Sequence, residues 1–196
     1  MRIPKTLTVD EFVLAEVERT KGENSTSERV NELLKRALDL ERQDKLQREA
    51  ALFYSEVSQV KDRPEEHAFQ KASLRSIAKD KPVPATAPLG WFPRRGEICL
   101  VRLDKDRPAL VISTDALNRH ALDICVVPIT SIEHREFSLR IPLRPRESGL
   151  QRASWAKSDQ VTTLEKTLAR YPPLGRLSDV TLSRIEAAIK TALDLD

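Results

Sequence analysis

The residues best suited to chemistry in this chain lie in LDKDRPALVIST, residues 103–114. A charged turn, Asp104 to Asp106, runs into Arg107, Pro108 and then an apolar run, Ala109 to Ile112, of the kind that fills a buried strand. Proline fixes its own φ and pushes the preceding residue toward extended geometry, so Arg107 is held at a strand mouth on a stiff backbone. Such a guanidinium is either aimed, offering several charged donors in one plane to an anion, or it is the solvated flank of a strand. The cysteines offer less. Cys99 and Cys125 fall inside apolar runs without metal-ligand spacing, so neither a metal site nor a disulfide is expected.

The elements that must hold Arg107 emerge from the texture of the chain. Its 196 residues are 40% hydrophobic and 32% charged, which suits a soluble globular protein of one large or two small domains. No apolar run is long enough to span a membrane, and MRIPKTLTVDEF has no signal-peptide core, so a cytoplasmic location without a membrane partner is expected. The net charge of +3 is uneven: residues 1–80 carry 15 basic and 16 acidic side chains, residues 81–196 carry 18 and 14. The C-terminal part therefore permits a polyanionic partner.

From Arg95 onward the pattern is that of a β domain. GEICLVRL, RPALVIST, LDICVVPIT and FSLRIPL are short apolar runs separated by charged turns. A final helix, SDVTLSRIEAAIKTALDLD, has Ser178 as N-cap and Leu182, Ile185, Ile189 and Leu193 on one face. A small barrel plus a C-terminal helix is the expected architecture. Before it, DKPVPATAPLG breaks any helix and reads as a linker, placed at 81–93.

Residues 43–80 are charged and helix-prone. LQREAALFYSEVSQV puts Leu46, Ala50, Phe53, Tyr54, Val57 and Val60 roughly on one face, and PEEHAFQKASLRSIAKD offers Phe69, Leu74 and Ile77 after a break at KDRP. Each stripe suits helix-in-groove docking, or a hairpin packed on itself.

The N-terminal segment MRIPKTLTVD alternates as a strand does, with Ile3, Leu7 and Val9 on one face and Arg2, Pro4, Thr6 and Thr8 on the other. A helix then runs from Asp10 and Glu11 to near Gly22. NSTSE caps a second helix, whose buried stripe is Val30, Leu33, Leu34, Ala37 and Leu38. One strand with two short helices leaves strand backbone groups unpaired, so this segment needs a second chain.

KTLTVDEFVLAEVE, a Gly-containing turn and STSERVNELLKRAL together resemble a ribbon–helix–helix DNA-binding domain over residues 1–42. The resemblance implies a dimer whose paired strands enter the major groove of operator DNA, with Arg2, Thr6 and Thr8 facing bases and Thr26 and Ser27 near phosphate. Pro4 and Lys5 depart from the ideal alternation.

In the C-terminal part, RRGEICLVRL, RPALVIST, VVPITS, SWAKSDQVTTLEK and LGRLSDVTLSRIEAAI, in that order, resemble the MazF/PemK family of toxin endoribonucleases over residues 94–196. The resemblance implies a homodimeric SH3-like barrel that cuts single-stranded RNA, such as mRNA, with neither metal nor cofactor. It makes Arg107 the catalytic arginine and Thr130 the catalytic threonine. A guanidinium stabilises charge building on equatorial phosphate oxygens, and a hydroxyl orients the phosphate or relays a proton. Lys105, Ser131, His134 and Gln160 are RNA-binding candidates; His67 and His120 have weaker cases. Two departures stand out: a short loop before Arg107, and Thr162 where many relatives carry arginine.

The fold class expected for the whole chain is α+β: a ribbon–helix–helix dimerisation domain, a helical middle segment, and an SH3-like barrel with its helix. The order implies an antitoxin fused to its toxin, with Phe53, Tyr54, Phe69, Leu74 and Ile77 as toxin-neutralising contacts in a homodimer or higher homo-oligomer. The alternatives are a DNA-binding regulator on a dead barrel and a constitutively active ribonuclease.

Overall fold

The computed structural model describes residues 5–55, 58–77, 88–133 and 135–195, which divide into two compact units, Met1–Ala50 and Ala51–Asp196. In the first unit, helix α1 (Glu11–Thr20) starts where Asp10 accepts a hydrogen bond from the Phe12 backbone N–H. Helix α2 (Thr26–Ser55) opens with a reciprocal cap, in which Ser25 Oγ accepts from the Glu28 N–H and the Glu28 carboxylate accepts from the Ser25 N–H. Arg29 Nε donates to Thr20 Oγ1 and Thr26 Oγ1 donates to Glu18, tying the two helices together.

The sequence expectations need two corrections here. Residues 5–10, expected as a strand, form none; Arg2, expected to face bases, lies outside the described residues. The break expected at KDRP does not fall there either. Helix α3 (Ser58–Ile77) runs through Pro64, and α2 continues without interruption past residue 42. An interior proline removes one helical hydrogen bond, and packing of the turns beyond Pro64 outweighs that loss.

The second unit carries a curled antiparallel half-barrel. Its strands are β1 (Glu97–Arg102), β2 (Asp106–Val111), β3 (Asp123–Thr130), β4 (Arg140–Leu143), β5 (Ser154–Lys157), β6 (Thr162–Glu165) and β7 (Gly175–Arg176). They pair in the order β4-β5-β3-β2-β1-β7, with β6 added beside β3. Short helices α4 (Asp115–His120) and α5 (Pro145–Ser148) fill connections, and α6 (Asp179–Leu193) begins at the Ser178 cap, packs beside β4 and buries Ile185. Leu193, expected on the buried face, is exposed. Gly149 ends α5 at φ +70°, and a Cβ there would strike the Leu174 carbonyl. Glycine is needed at that crossing.

Strand alternation separates two faces. Ile98, Leu110 and Val127 fill one. The other bears Cys99 and Val101 of β1, Ala109 and Val111 of β2, Ile124 and Val126 of β3, and Leu164 of β6. Phe69 and Ala72 of α3 belong to this second core, and α3 packs along β6. The middle helix therefore covers one face of the half-barrel.

Candidate active site

Arg107 lies on the covered face. It stands two residues before Ala109 on β2 and opposite Val101 on β1, so its side chain shares the side of the sheet that meets α3. Thr130 ends β3 on the same side. The β2–β3 ladder runs from Val111↔Val126 to Ala109↔Pro128, and each site residue stands two places beyond that last pair. There β3 turns to a new neighbour, with Thr130 opposite Trp155 of β5. The change of partner opens the sheet edge between the two side chains, and both are buried.

Asp104 fixes the guanidinium. Arg107 Nε and Nη2 donate to its two carboxylate oxygens at 3.0 and 2.9 Å, a fork-to-fork pair. Hydrogen bonding from Arg107 holds the Asp104 carboxyl below the usual carboxylate range. Its bond to Arg107 is therefore in place from neutral pH down through that range, and is lost only as pH falls through the lowered value. The remaining edge of the guanidinium, Nη1, faces Glu65 Oε1 of α3 at 3.9 Å. Thr130 Oγ1 accepts from the Ile132 backbone N–H at 3.2 Å, leaving the hydroxyl proton for donation.

Next to this pair, Glu66 Oε1 accepts from Gln160 Nε2 at 2.8 Å and lies 3.4 Å from Lys157 Nζ. Further along, Phe53 stacks on Phe137 with ring centroids 4.7 Å apart, and the Arg140 guanidinium sits 5.0 Å above the Phe53 ring. Arg140 also pairs with Asp159. A cavity of about 310 Å³ adjoins them, lined by Arg135, Arg140, Pro142, Trp155 and Arg184 among others.

The sequence candidates are distributed as follows. Arg107 and Thr130 share one face, and Gln160 is engaged by α3. Lys105 and Ser131 are exposed, His134 lies outside the described residues, and His67 and His120 face solvent. Among the neutralising candidates Phe53 and Phe69 are buried, whereas Leu74 is 65% exposed and does not join them. The side chains of Tyr54 and Ile77 lie outside the described residues. In the first unit Thr6, Thr8 and Ser27 are exposed and Thr26 is partly so. Sequence reasoning missed Asp104, Glu65, Glu66 and Lys157. The first is legible as a carboxylate three residues before an aimed arginine; the others needed the helix to be laid on the sheet.

Among the described residues no cluster of three or more His, Cys, Asp or Glu side chains has metal-binding geometry, and no helix is long and apolar enough to cross a membrane. Burial, aided by Glu97, pushes the Cys99 thiol up to about 12.

A guanidinium locked by a carboxylate, a buried hydroxyl at an adjoining strand end and a lysine–glutamine pair nearby form a surface suited to a phosphodiester. The sequence profile of the PemK-like, MazF-like toxins of type II toxin–antitoxin systems matches residues 94–193. Endoribonuclease MazF9 of Mycobacterium tuberculosis is 34% identical over 115 residues, covering 52% of this chain and 97% of that protein. An endoribonuclease solved in complex with its cognate antitoxin from a mycobacterial species is 28% identical, covers 53% of this chain and 97% of its own, and superposes with a TM-score of 0.48. A MazE–MazF structure from Deinococcus radiodurans is 19% identical over 54% of this chain and 99% of its own, with a TM-score of 0.49. Through residues 94–193, the chain belongs to the PemK-like, MazF-like toxin family.

Proposed function

We propose that this chain is an antitoxin–toxin fusion: an endoribonuclease for single-stranded RNA, held latent by its own helix α3, with an N-terminal half that pairs with a second copy and binds operator DNA to repress its own promoter. The observation that carries the reading is α3 seated on the sheet face that bears Arg107 and Thr130, with Phe69 in the core and Glu65 toward the guanidinium. In the chemistry that follows, a ribose 2′-hydroxyl gives up its proton to water and attacks the adjacent phosphorus, and the bond from phosphorus to the 5′-oxygen breaks. Arg107 meets the charge that develops on the phosphate oxygens, and Thr130 orients the phosphate or passes a proton to the leaving oxygen. Asp104 keeps Arg107 aimed. The protein supplies every donor, so cleavage proceeds in EDTA and leaves a 2′,3′-cyclic phosphate.

Exposed apolar side chains on the N-terminal helices support pairing with a second copy. Phe12, Val13, Leu14, Leu34 and Leu38 all face solvent in a single chain, and the strand-like residues 5–10 have no ladder partner in it.

The test compares residues 82–196 with the intact chain on a mixed single-stranded RNA pool in EDTA. The fragment should cut and the intact chain should be nearly silent. A tether of this kind supplies roughly millimolar effective concentration, so even micromolar docking leaves only about one site in a thousand open. Equal cleavage by both would make the N-terminal half a mere positioner; no cleavage by the fragment would favour a regulator built on a dead barrel.

A further inference from the structure

A buried lysine is uncommon because taking its ammonium out of water costs several kcal/mol unless a partner compensates it. Lys157 is fully enclosed at the end of β5. Its Nζ lies 3.4 Å from Glu66 Oε1, the same oxygen that accepts from Gln160 Nε2 at 2.8 Å. One residue earlier, Glu65 turns toward Arg107. Consecutive carboxylates of α3 thus meet two separate sets of donors on the half-barrel, one of them the guanidinium assigned to the scissile phosphate. Carboxylate and phosphate oxygens accept from the same donors, and a nucleic-acid strand brings its anions in succession.

We propose that Lys157 and Gln160 form a second phosphate-binding site beside Arg107, gripping a neighbouring phosphate of the RNA, and that Glu66 occupies it in the latent chain. This rests on the reading of α3 as the cover of an RNA-cleaving face. It gives a role to a charge kept at an enclosed position. It also explains why α3 carries two adjacent acids where its sequence turns toward the sheet.

The test uses the full-length chain with Glu65→Lys and Glu66→Lys, which sets like charges against Arg107 and Lys157 and so opens α3. Binding of a single-stranded RNA made uncleavable by 2′-O-methyl groups is followed by fluorescence anisotropy across a salt series. Adding Lys157→Met should weaken binding about tenfold at physiological salt and lower the slope of log affinity against log salt by about 0.7, the signature of one lost phosphate contact on a single strand. Lys157→Arg should restore the slope. An unchanged slope in Lys157→Met, equal weakening by Met and Arg, or no RNA binding at any salt overturns the site. Cleavage of unmodified RNA by the opened chain is read separately. Absence of cleavage with a Lys157-dependent slope sinks the latent nuclease and keeps the phosphate site; cleavage with an unchanged slope does the reverse.

Discussion

The two compact units handle their apolar residues in opposite ways. In residues 51–195 the strands close on their own chain, and Ile98, Leu110, Val111, Val126 and Val127 are sealed from water. In residues 5–50 Val17 is the one buried apolar side chain among those described, and Phe12 is 79% exposed. Each fully buried Leu, Val or Phe contributes roughly 1.5–3 kcal/mol, so the exposed set on the N-terminal helices represents on the order of 10 kcal/mol of unused burial. The C-terminal unit buries its apolar residues against its own strands, whereas the N-terminal helices leave most of theirs exposed. Helix α3, though it lies among the N-terminal helices in sequence, belongs with the C-terminal unit.

The largest effects should come from setting α3 against the N-terminal helices. Phe69→Asp places a charge among Cys99, Val101 and Leu164 in the covered core, where burial without a partner is prohibitive. It should raise RNA cleavage by the intact chain up to about a thousandfold, the full extent of tethered inhibition. Leu38→Asp, on an exposed side chain, should leave cleavage unchanged while impairing pairing of copies. A gel-based RNA cleavage assay on the two variants checks both, and equal behaviour would erase the distinction between the units.

Stability should follow the same division. Phe53→Ala removes a buried ring held between Phe137 and Arg140 and should cost about 3 kcal/mol in denaturant unfolding of the C-terminal unit. Leu38→Ala in dilute solution should stay within about 0.5 kcal/mol. Concentration then separates the units further. An assembly that binds the folded form adds stability by mass action, so each tenfold dilution should lower protection of amides in α1 and α2 by about 1.4 kcal/mol. Amides of β1 to β3 should not respond. Hydrogen exchange at two concentrations reads both at once.

How much of this was legible in the sequence follows the same boundary. The half-barrel announces itself because each strand is an apolar run ended by charged turns, and a chain that buries its own residues writes its pattern locally. RPALVIST marks β2 and puts Arg107 at its mouth from the sequence alone. The N-terminal strand is equally visible as a pattern, yet residues 5–10 adopt no strand, because alternation marks a strand's faces without supplying the second strand that its backbone groups need. Pro64 misled for a different reason: local propensity ends a helix there, while packing of Phe69 and Ala72 carries it through. Glu65, Glu66 and Lys157 read as solvated charges along a sequence. Their meaning depends on contacts between residues far apart in the sequence, which no local spacing encodes.

An effect invisible at neutral pH comes from a thiol beneath α3. Cys99 shares the covered core with Phe69, and burial pushes its thiol up to about 12. An unfolded cysteine ionises near 8.5, so between that value and about 12 the unfolded chain loses a proton that the folded chain keeps. The contribution is therefore fully present below about pH 8.5 and is lost as pH rises toward 12, with stability falling by at most about 1.4 kcal/mol per unit. Cys99→Ala should flatten that alkaline decline. Iodoacetamide offers the companion measurement at pH 8, because only the thiolate reacts. Cys125, partly exposed beside Thr163, should be labelled readily, while Cys99 stays unlabelled in the intact chain. In Phe69→Asp, with α3 lifted from the sheet, Cys99 should become reactive at the same time as RNA cleavage appears. Labelling of Cys99 in the silent intact chain at a rate matching Cys125 would mean that α3 does not seal this face, and that latency has another source.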